Sequence, residues 1–168
     1  MYVRRRPRVR LNPLFSGGGQ ERGLRSGTLA TPLIVGLGEA CRIAAAEMAL
    51  DAFRVTDHRT LLLNRLRDNI PGLRINGSET SRIPGNLNLT FPAATARKLM
   101  ESCPDLCVST GSACSSAEVE PSYVLRALGM PDEEAARTLR IGVGRFTSPA
   151  DIDYAAAALI AAHSNAAG

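Results

Sequence analysis

Tryptophan is absent from this 168-residue sequence, and aromatic residues make up only 4% of it. Proteins that bind single-stranded nucleic acid stack bases on aromatic side chains, so this scarcity argues against such a binder. Arginines between Arg4 and Arg10 supply much of the net charge of +4, and such a run can also attract nucleic acid or an acidic surface. We favour a solvated edge strand, or a pair of short strands, over residues 2–11, interrupted at Pro7, and expect no nucleic-acid partner.

Long apolar runs are also missing. No segment approaches the length needed to cross a bilayer, and no signal-peptide pattern opens the chain. The composition, 45% hydrophobic and 21% charged, is that of a folded protein and is neither disordered nor fibrous. The length fits one domain or two small lobes. We therefore expect a soluble, cytoplasmic protein with no membrane partner.

A recognisable metal-ligand pattern is missing too. The four cysteines are Cys41, Cys103, Cys107 and Cys114. The spacing of the last three matches no common zinc site, and the two histidines, His58 and His163, are distant in sequence. Without an export signal a disulfide framework is not expected either. Cys41 is interpreted as core packing on a helix, and Cys103 and Cys107 as flanking a short strand.

The segment from Ser16 to Thr28 is rich in glycine, which lets a backbone approach a ligand closely. It lacks the lysine of a Walker loop and the strand–helix context of a dinucleotide fingerprint. Ser26 and Thr28, with Arg22 and Arg25, could still bind an anion through hydroxyl, amide and guanidinium donors. A flexible connector explains the same residues, and the pattern alone leaves both interpretations open.

A long helix is predicted next. Thr31-Pro32 is a favourable helix start, and apolar residues recur at helical spacing until Pro71-Gly72. We expect this helix to bend between Asp51 and Thr56 and to bridge two lobes. His58 is placed on its polar side, facing solvent.

Short elements follow. The predicted strands are Leu73–Gly77, Asn86–Phe91, Leu106–Ser109 and Leu139–Phe146, and the predicted helices are Thr95–Ser102, Tyr123–Leu128, Asp132–Thr138 and an alanine-rich helix ending near His163. Ser148 and Asp151 form a capping box before the last of these. The expected fold is α/β or α+β, with few strands and helices over one face.

The stretch from Val108 to Ala117 places Cys114 among small residues between a strand and a helix start. Loops held between rigid elements often carry function, so Cys114 is a candidate nucleophile. Free cysteines are also commonly buried as small apolar residues, and composition alone favours that second interpretation.

Three segments together resemble one family. They are Ser16–Thr28, Ser109–Ala117 with Glu120–Gly129, and Leu139–Thr147. In this order they are similar to the C-terminal portion of cysteine desulfurases of the IscS and NifS type, pyridoxal-phosphate enzymes of aminotransferase class V. The resemblance implies the end of a fold-type I transferase. Residues 1–50 would then be the edge of the large cofactor-binding domain, and residues 51–168 the small domain with the cysteine loop.

The resemblance also implies roles for individual residues. Cys114 would take sulfur from L-cysteine as a persulfide, leaving L-alanine, and would help bind a nascent [2Fe-2S] cluster with a scaffold protein. Thr28 would contact the phosphate of pyridoxal 5'-phosphate across a homodimer interface. Arg140 would hold the substrate carboxylate, for which a planar guanidinium is well suited.

The residues that anchor the cofactor are expected ahead of the matched segments. Lys98, the only lysine, lies in a predicted helix without the Ser-x-His sequence that precedes the family's Schiff-base lysine. We therefore expect this chain alone to be inactive. Alternatives are an inactive remnant, a scaffold-binding module, or a related class V enzyme such as a selenocysteine lyase.

Overall fold

A computed structural model describes residues 2–110 and 122–167. The chain divides into two compact units, Met1–Ala46 and Glu47–Gly168. The helices are α1 (Thr31–Asn69), α2 (Ala96–Ser102), α3 (Tyr123–Ala127), α4 (Asp132–Ala135) and α5 (Pro149–Ala167), and the strands are β1 (Arg74–Ile75), β2 (Asn86–Thr90) and β3 (Thr138–Gly142). The predicted domain boundary after residue 50 stays a prediction.

The unit Met1–Ala46 holds no strand among its described residues, so the predicted edge strand over residues 2–11 is wrong. A turn occupies residues 5–8, and one 3₁₀ turn, Glu21–Gly23, lies in the glycine-rich segment. A strand needs a partner for its backbone groups, and Pro7 has no N–H to offer one. The arginines between Arg4 and Arg10 are exposed, as predicted.

Helix α1 begins at Thr31, as the Thr-Pro start signal predicts, and runs for 39 residues. Its buried face in the unit Glu47–Gly168 includes Leu62, Leu66 and also His58, which is only 8% exposed. The prediction that His58 faces solvent is wrong, because residues four apart lie on the same helix face and positions 58, 62 and 66 form one row. Cys41, predicted to pack in a core, is exposed.

The sheet is antiparallel in the order β1-β2-β3. Side chains alternate between its two faces. Its apolar face carries Leu87 and Leu89 of β2, paired with Ile141 and Leu139 of β3. These four side chains join the core cluster that α1, α2 and α5 complete. The opposite, polar face therefore presents the alternate residues of β2 and β3.

The predicted strand Leu106–Ser109 is wrong. Among the described residues only an isolated bridge forms there, between Ser109 and Arg140. Helix α4 is also shorter than predicted, because Thr138 already belongs to β3. Helix α2 has the expected start, where Thr95 caps it by accepting a hydrogen bond from the Lys98 amide at 3.3 Å.

The capping box at α5 forms as predicted. The Ser148 hydroxyl and amide both donate to an Asp151 carboxylate oxygen at 2.8 Å, and the Asp151 amide donates back to Ser148 Oγ at 3.2 Å. These bonds hold the pKa of the Asp151 carboxyl below its ordinary value. The box fixes where α5 begins to cover the core.

Gly85 allows β2 and the end of β3 to come together. Its carbonyl accepts a hydrogen bond from the Val143 amide at 2.8 Å. A Cβ atom at this position would lie 1.9 Å from the Val143 carbonyl oxygen and 2.9 Å from Val55 Cγ1. Only glycine fits this approach of two backbones.

Candidate functional site

A cleft of about 250 Å³ opens on the polar face of the sheet. It is lined by Asn76, Asn86, Asn88, Thr110, Ser122, Val124, Leu125, Leu128 and Arg140. Strand β2 supplies Asn86 and Asn88, β3 supplies Arg140, and Asn76 directly follows β1, while α3 supplies an apolar wall. The cleft therefore combines one cationic side chain and several amides with a small apolar surface.

Arg140 lies in the middle of β3, which fixes its backbone from both sides. It faces Asn88 across the β2 ladder. On its other edge its amide donates to the Ser109 carbonyl at 2.6 Å and its carbonyl accepts from the Ser109 amide at 3.1 Å. No hydrogen bond or ion pair joins its side chain to another part of residues 2–110 or 122–167. Within that part of the chain, no group competes with an anion for its guanidinium.

The asparagines of the cleft are joined by side-chain hydrogen bonds. Asn76 Nδ2 donates to Asn88 Oδ1 at 2.8 Å and to Thr90 Oγ1 at 2.9 Å. The sequence interpretation did not single out these residues. The signal that could have found them is the alternation of Asn86, Asn88 and Thr90 with buried leucines in β2.

Arg82 binds backbone carbonyl groups next to the asparagines of the cleft. Its guanidinium donates to the Asn76 carbonyl at 2.8 Å, the Asn86 carbonyl at 3.2 Å and the Ser78 carbonyl at 2.6 Å. Burial is the main cause that lowers its pKa from the ordinary arginine value, helped by the like charge of Arg59. Because all three contacts are to backbone carbonyl oxygens, Arg82 stabilises the chain segments beside the cleft.

Both ends of the predicted cysteine loop reach this cleft. Thr110 lies within the loop, ahead of Cys114, and Ser122 follows the loop; both line the cleft beside Arg140. Cys114 itself lies outside the described residues. The structure thus brings Arg140 together with the chain segments that flank Cys114, and the role of Cys114 stays a prediction.

Thr28 belongs to the other unit, Met1–Ala46, where the glycine-rich segment folds on itself. Arg25 Nη1 donates to the carbonyl oxygens of Gly27 at 2.8 Å and Thr28 at 3.0 Å. The Gly27 amide donates to Gln20 Oε1 at 3.0 Å, and Gly27 has a φ of +98°. Within the described residues the Thr28 hydroxyl has no hydrogen-bond partner, so it can donate to an anion beside the Arg25 charge.

The cleft is not lined by the other candidate reactive side chains, Cys103, Cys107 and Lys98. Cys103 is buried, its Sγ donates to the Ala158 carbonyl at 3.4 Å, and burial raises the pKa of its thiol. Cys107 is exposed, and neither residue lines the cleft. Lys98 is exposed on α2.

Arg145, which follows β3 in the chain, is held by two acidic residues. It forms ion pairs with Glu47 and, at 3.4 Å, with Asp51. Arg54 also binds Asp51 at 2.7 Å and donates to the Arg145 carbonyl at 3.1 Å. This network ties the turn after β3 to α1 within the same unit.

The described part of the chain contains no group of three or more His, Cys, Asp or Glu side chains that could hold a metal ion. Cys114, the predicted cluster ligand, lies outside that part. None of the helices described is both long enough and apolar enough to cross a membrane.

Comparisons with known proteins identify relatives. Residues 1–155 match the family model for aminotransferase class-V. A mitochondrial cysteine desulfurase of Arabidopsis thaliana is 52% identical over 155 residues, which are 92% of this chain and 34% of the relative. The chain thus spans about a third of the length of that relative.

Solved structures of similar proteins also match most of this chain. A NifS-like protein superposes with a TM-score of 0.80 at 29% identity, over 94% of this chain and 40% of that one. A structure described as SspA in complex with cysteine gives a TM-score of 0.55 at 32% identity, over 82% of this chain and 37% of that one. The fold of this chain is therefore similar to that of a part of each of these proteins.

Proposed function

Because this chain belongs to the aminotransferase class-V family, we propose that it is the C-terminal portion of a cysteine desulfurase. In this proposal the enzyme takes the sulfur of L-cysteine onto Cys114 and releases L-alanine. The similarity to a cysteine desulfurase and to a structure bound to cysteine supports this choice of reaction and substrate.

The single observation that carries the proposal is the cleft at Arg140. The guanidinium has no partner in the described chain, and its planar pair of N–H groups matches a carboxylate. Thr110 and Ser122, the described residues on either side of Cys114, line the same cleft. Four residues of chain span at most about 14 Å, so the Cys114 backbone can come no farther than that from Thr110.

Cys114 then acts as the sulfur acceptor. Its thiolate attacks the substrate sulfur, an S–S bond forms and the C–S bond breaks, and the electron pair left on carbon takes a proton to give alanine. An ordinary thiol with a pKa of about 8.5 is mostly protonated at neutral pH, so the segment must favour the thiolate at the moment of attack. Cys103 is unsuited to this role, because its thiol is buried and its pKa is raised.

Pyridoxal 5'-phosphate is the cofactor expected for this family. The donor set around Thr28 fits its phosphate, since the hydroxyl lacks a partner in the described chain and Arg25 adds a positive charge. When bound, the cofactor supplies the electron sink that weakens bonds at the substrate α-carbon. Its lysine must come from outside residues 1–168, because Lys98 is exposed on α2 and does not line the cleft.

The remaining parts of the proposal concern partners. The enzyme would work in the cytoplasm as a homodimer, with Thr28 serving the cofactor of the other subunit. The Cys114 persulfide would pass sulfur to an iron–sulfur scaffold protein and contact a nascent [2Fe-2S] cluster there. These expectations rest on the family resemblance.

A chimera tests the reaction directly. The matched 155 residues of the Arabidopsis thaliana protein are replaced by those of this chain, and the product is incubated with L-cysteine and pyridoxal 5'-phosphate. We expect alanine release and a mass increase of one sulfur atom on the peptide that contains Cys114. Cys114→Ser abolishes both, while the control Cys107→Ser keeps them. An active Cys114→Ser chimera, or one inactive with Cys114 intact, contradicts the proposal.

A further inference from the structure

We propose that Asn88 is a second carboxylate-binding residue of the cleft, with Asn76 as the positioning residue that sets the direction of its amide. The inference rests on the proposed function, because the carboxylate in question is that of the amino-acid substrate. It concerns residues that neither the sequence interpretation nor the family resemblance singled out.

The register of the sheet places Asn88 next to Arg140. The two residues are directly opposed between β2 and β3. Opposed residues in an antiparallel pair have Cβ atoms about 5 Å apart, on the same face. Both side chains line the cleft, and Asn88 is half-buried there. A carboxylate bound by Arg140 is therefore within reach of the Asn88 amide.

A chain of hydrogen bonds under the cleft has one direction that makes all of its contacts of 2.9 Å or shorter. The longer alternatives for the two hydroxyls are Asn76 Oδ1 at 3.3 Å from Thr90 Oγ1 and Met130 Sδ at 3.6 Å from Thr138 Oγ1. The Thr138 hydroxyl donates to the Glu134 carbonyl at 2.9 Å, which uses its single hydrogen. Thr138 Oγ1 must then accept from the Thr90 hydroxyl, 2.8 Å away. The Thr90 oxygen in turn accepts from Asn76 Nδ2 at 2.9 Å. Each hydroxyl thus donates one hydrogen bond in the direction of the Glu134 carbonyl.

This direction fixes the amide of Asn88. The second N–H of Asn76 Nδ2 donates to Asn88 Oδ1 at 2.8 Å. Asn88 Oδ1 is therefore turned toward Asn76, and Asn88 Nδ2 keeps two unused N–H groups. No protein group in residues 2–110 or 122–167 accepts from them. The free donors of Asn88 thus lie on the cleft side, beside Arg140.

The cleft selects for a carboxylate as a result. Its described lining includes no aspartate or glutamate that could compete for Arg140. Arg140 and Asn88 together offer only N–H donors to a ligand in this part of the cleft, and a carboxylate only accepts. L-cysteine carries that group, whereas cysteamine has the same thiol and amine without it. The two molecules are a matched pair of probes.

The test is an NMR titration of the full ¹⁵N-labelled chain with each probe under reducing conditions. We expect L-cysteine to shift the side-chain signals of Arg140 Nε–H and Asn88 Nδ2–H, and cysteamine to shift neither. Asn88→Asp replaces donors with acceptors and should weaken L-cysteine binding about tenfold or more. Asn64→Asp makes the same charge change on an exposed position of α1 and should leave binding unchanged.

Asn76→Asp tests the positioning role separately. A carboxylate at position 76 cannot donate to Asn88 Oδ1, so the Asn88 amide must turn its Nδ2 toward residue 76. We expect the Asn88 side-chain signals to move in the ligand-free variant, with the backbone spectrum otherwise retained. Unchanged Asn88 signals in this variant would overturn the role of Asn76.

The outcomes separate this inference from the proposed function. If L-cysteine shifts Arg140 but not Asn88, and Asn88→Asp binds L-cysteine as tightly as the unaltered chain, the role of Asn88 is overturned and the carboxylate role of Arg140 stands. If L-cysteine shifts neither signal, both are overturned. Asn88→Ala gives the same comparison should Asn88→Asp fail to fold.

Discussion

The two halves of α1 carry the same apolar pattern but have opposite surroundings. Leu62 and Leu66 are 1% and 0% exposed, whereas Leu33 and Leu37 are 75% and 67% exposed. The buried pair lies in the unit Glu47–Gly168, which has a sheet and α5 to cover it, and the exposed pair lies in the unit Met1–Ala46. Helical periodicity therefore predicts that a helix forms and which face is apolar, but not whether anything covers that face.

Truncating one leucine in each half of α1 should give the largest difference in the free energy of unfolding. Leu66→Ala removes a fully buried side chain and should lower the free energy of unfolding by about 2–5 kcal/mol. Leu37→Ala, at an exposed position, should change it by less than about 0.5 kcal/mol. Urea denaturation followed by circular dichroism measures both. Equal losses would show that the exposed half also packs into the cooperative core.

Two glycines extend the same comparison. Gly85→Ala forces a Cβ against the Val143 carbonyl and should cost about 2–3 kcal/mol. Gly36→Ala, in the exposed half of α1 with no atom within 4 Å of the new Cβ, should cost nothing or add up to about 1 kcal/mol. Thermal unfolding of the two variants measures the difference. A stable Gly85→Ala protein would refute the close backbone approach at β2.

The capping box should have a smaller, pH-dependent effect. Ser148→Ala should destabilise the protein by about 1 kcal/mol at neutral pH. The pKa of Asp151 is lower in the folded chain than in the unfolded one, so its contribution is present above the unfolded value and is lost as pH falls through the folded value. The difference in the free energy of unfolding between Ser148→Ala and the unaltered chain should therefore become smaller as the pH falls. A gap that stays constant down to pH 2 would contradict this role of the carboxylate.

Local signals in the sequence predicted much of the fold. The start of α1 at Thr31 and the Ser148–Asp151 box depend on residues three or four apart, which the sequence shows directly. The prediction of an edge strand over residues 2–11 was wrong, because a strand needs a partner elsewhere in the chain for its backbone N–H and C=O groups. The prediction for His58 was wrong because its polar side chain lies four residues before Leu62, on the buried face of α1.

The site was less predictable than the fold. Arg140 was found only through the family resemblance, since an arginine in a short strand has no local signature. The asparagine network joins Asn76, Asn88 and Thr138, which meet only through the pairing of three strands. Such a network follows from sheet register, and register is not visible in any one segment.

In the proposed function Arg140 holds the carboxylate of L-cysteine, and the steady-state kinetics of the chimera test this role most directly. Arg140→Gln should raise KM for L-cysteine at least about tenfold. Arg74→Gln removes an exposed arginine from β1, outside the cleft, and should leave KM unchanged. A KM for Arg140→Gln equal to that of Arg74→Gln and of the unaltered chimera would contradict the claim.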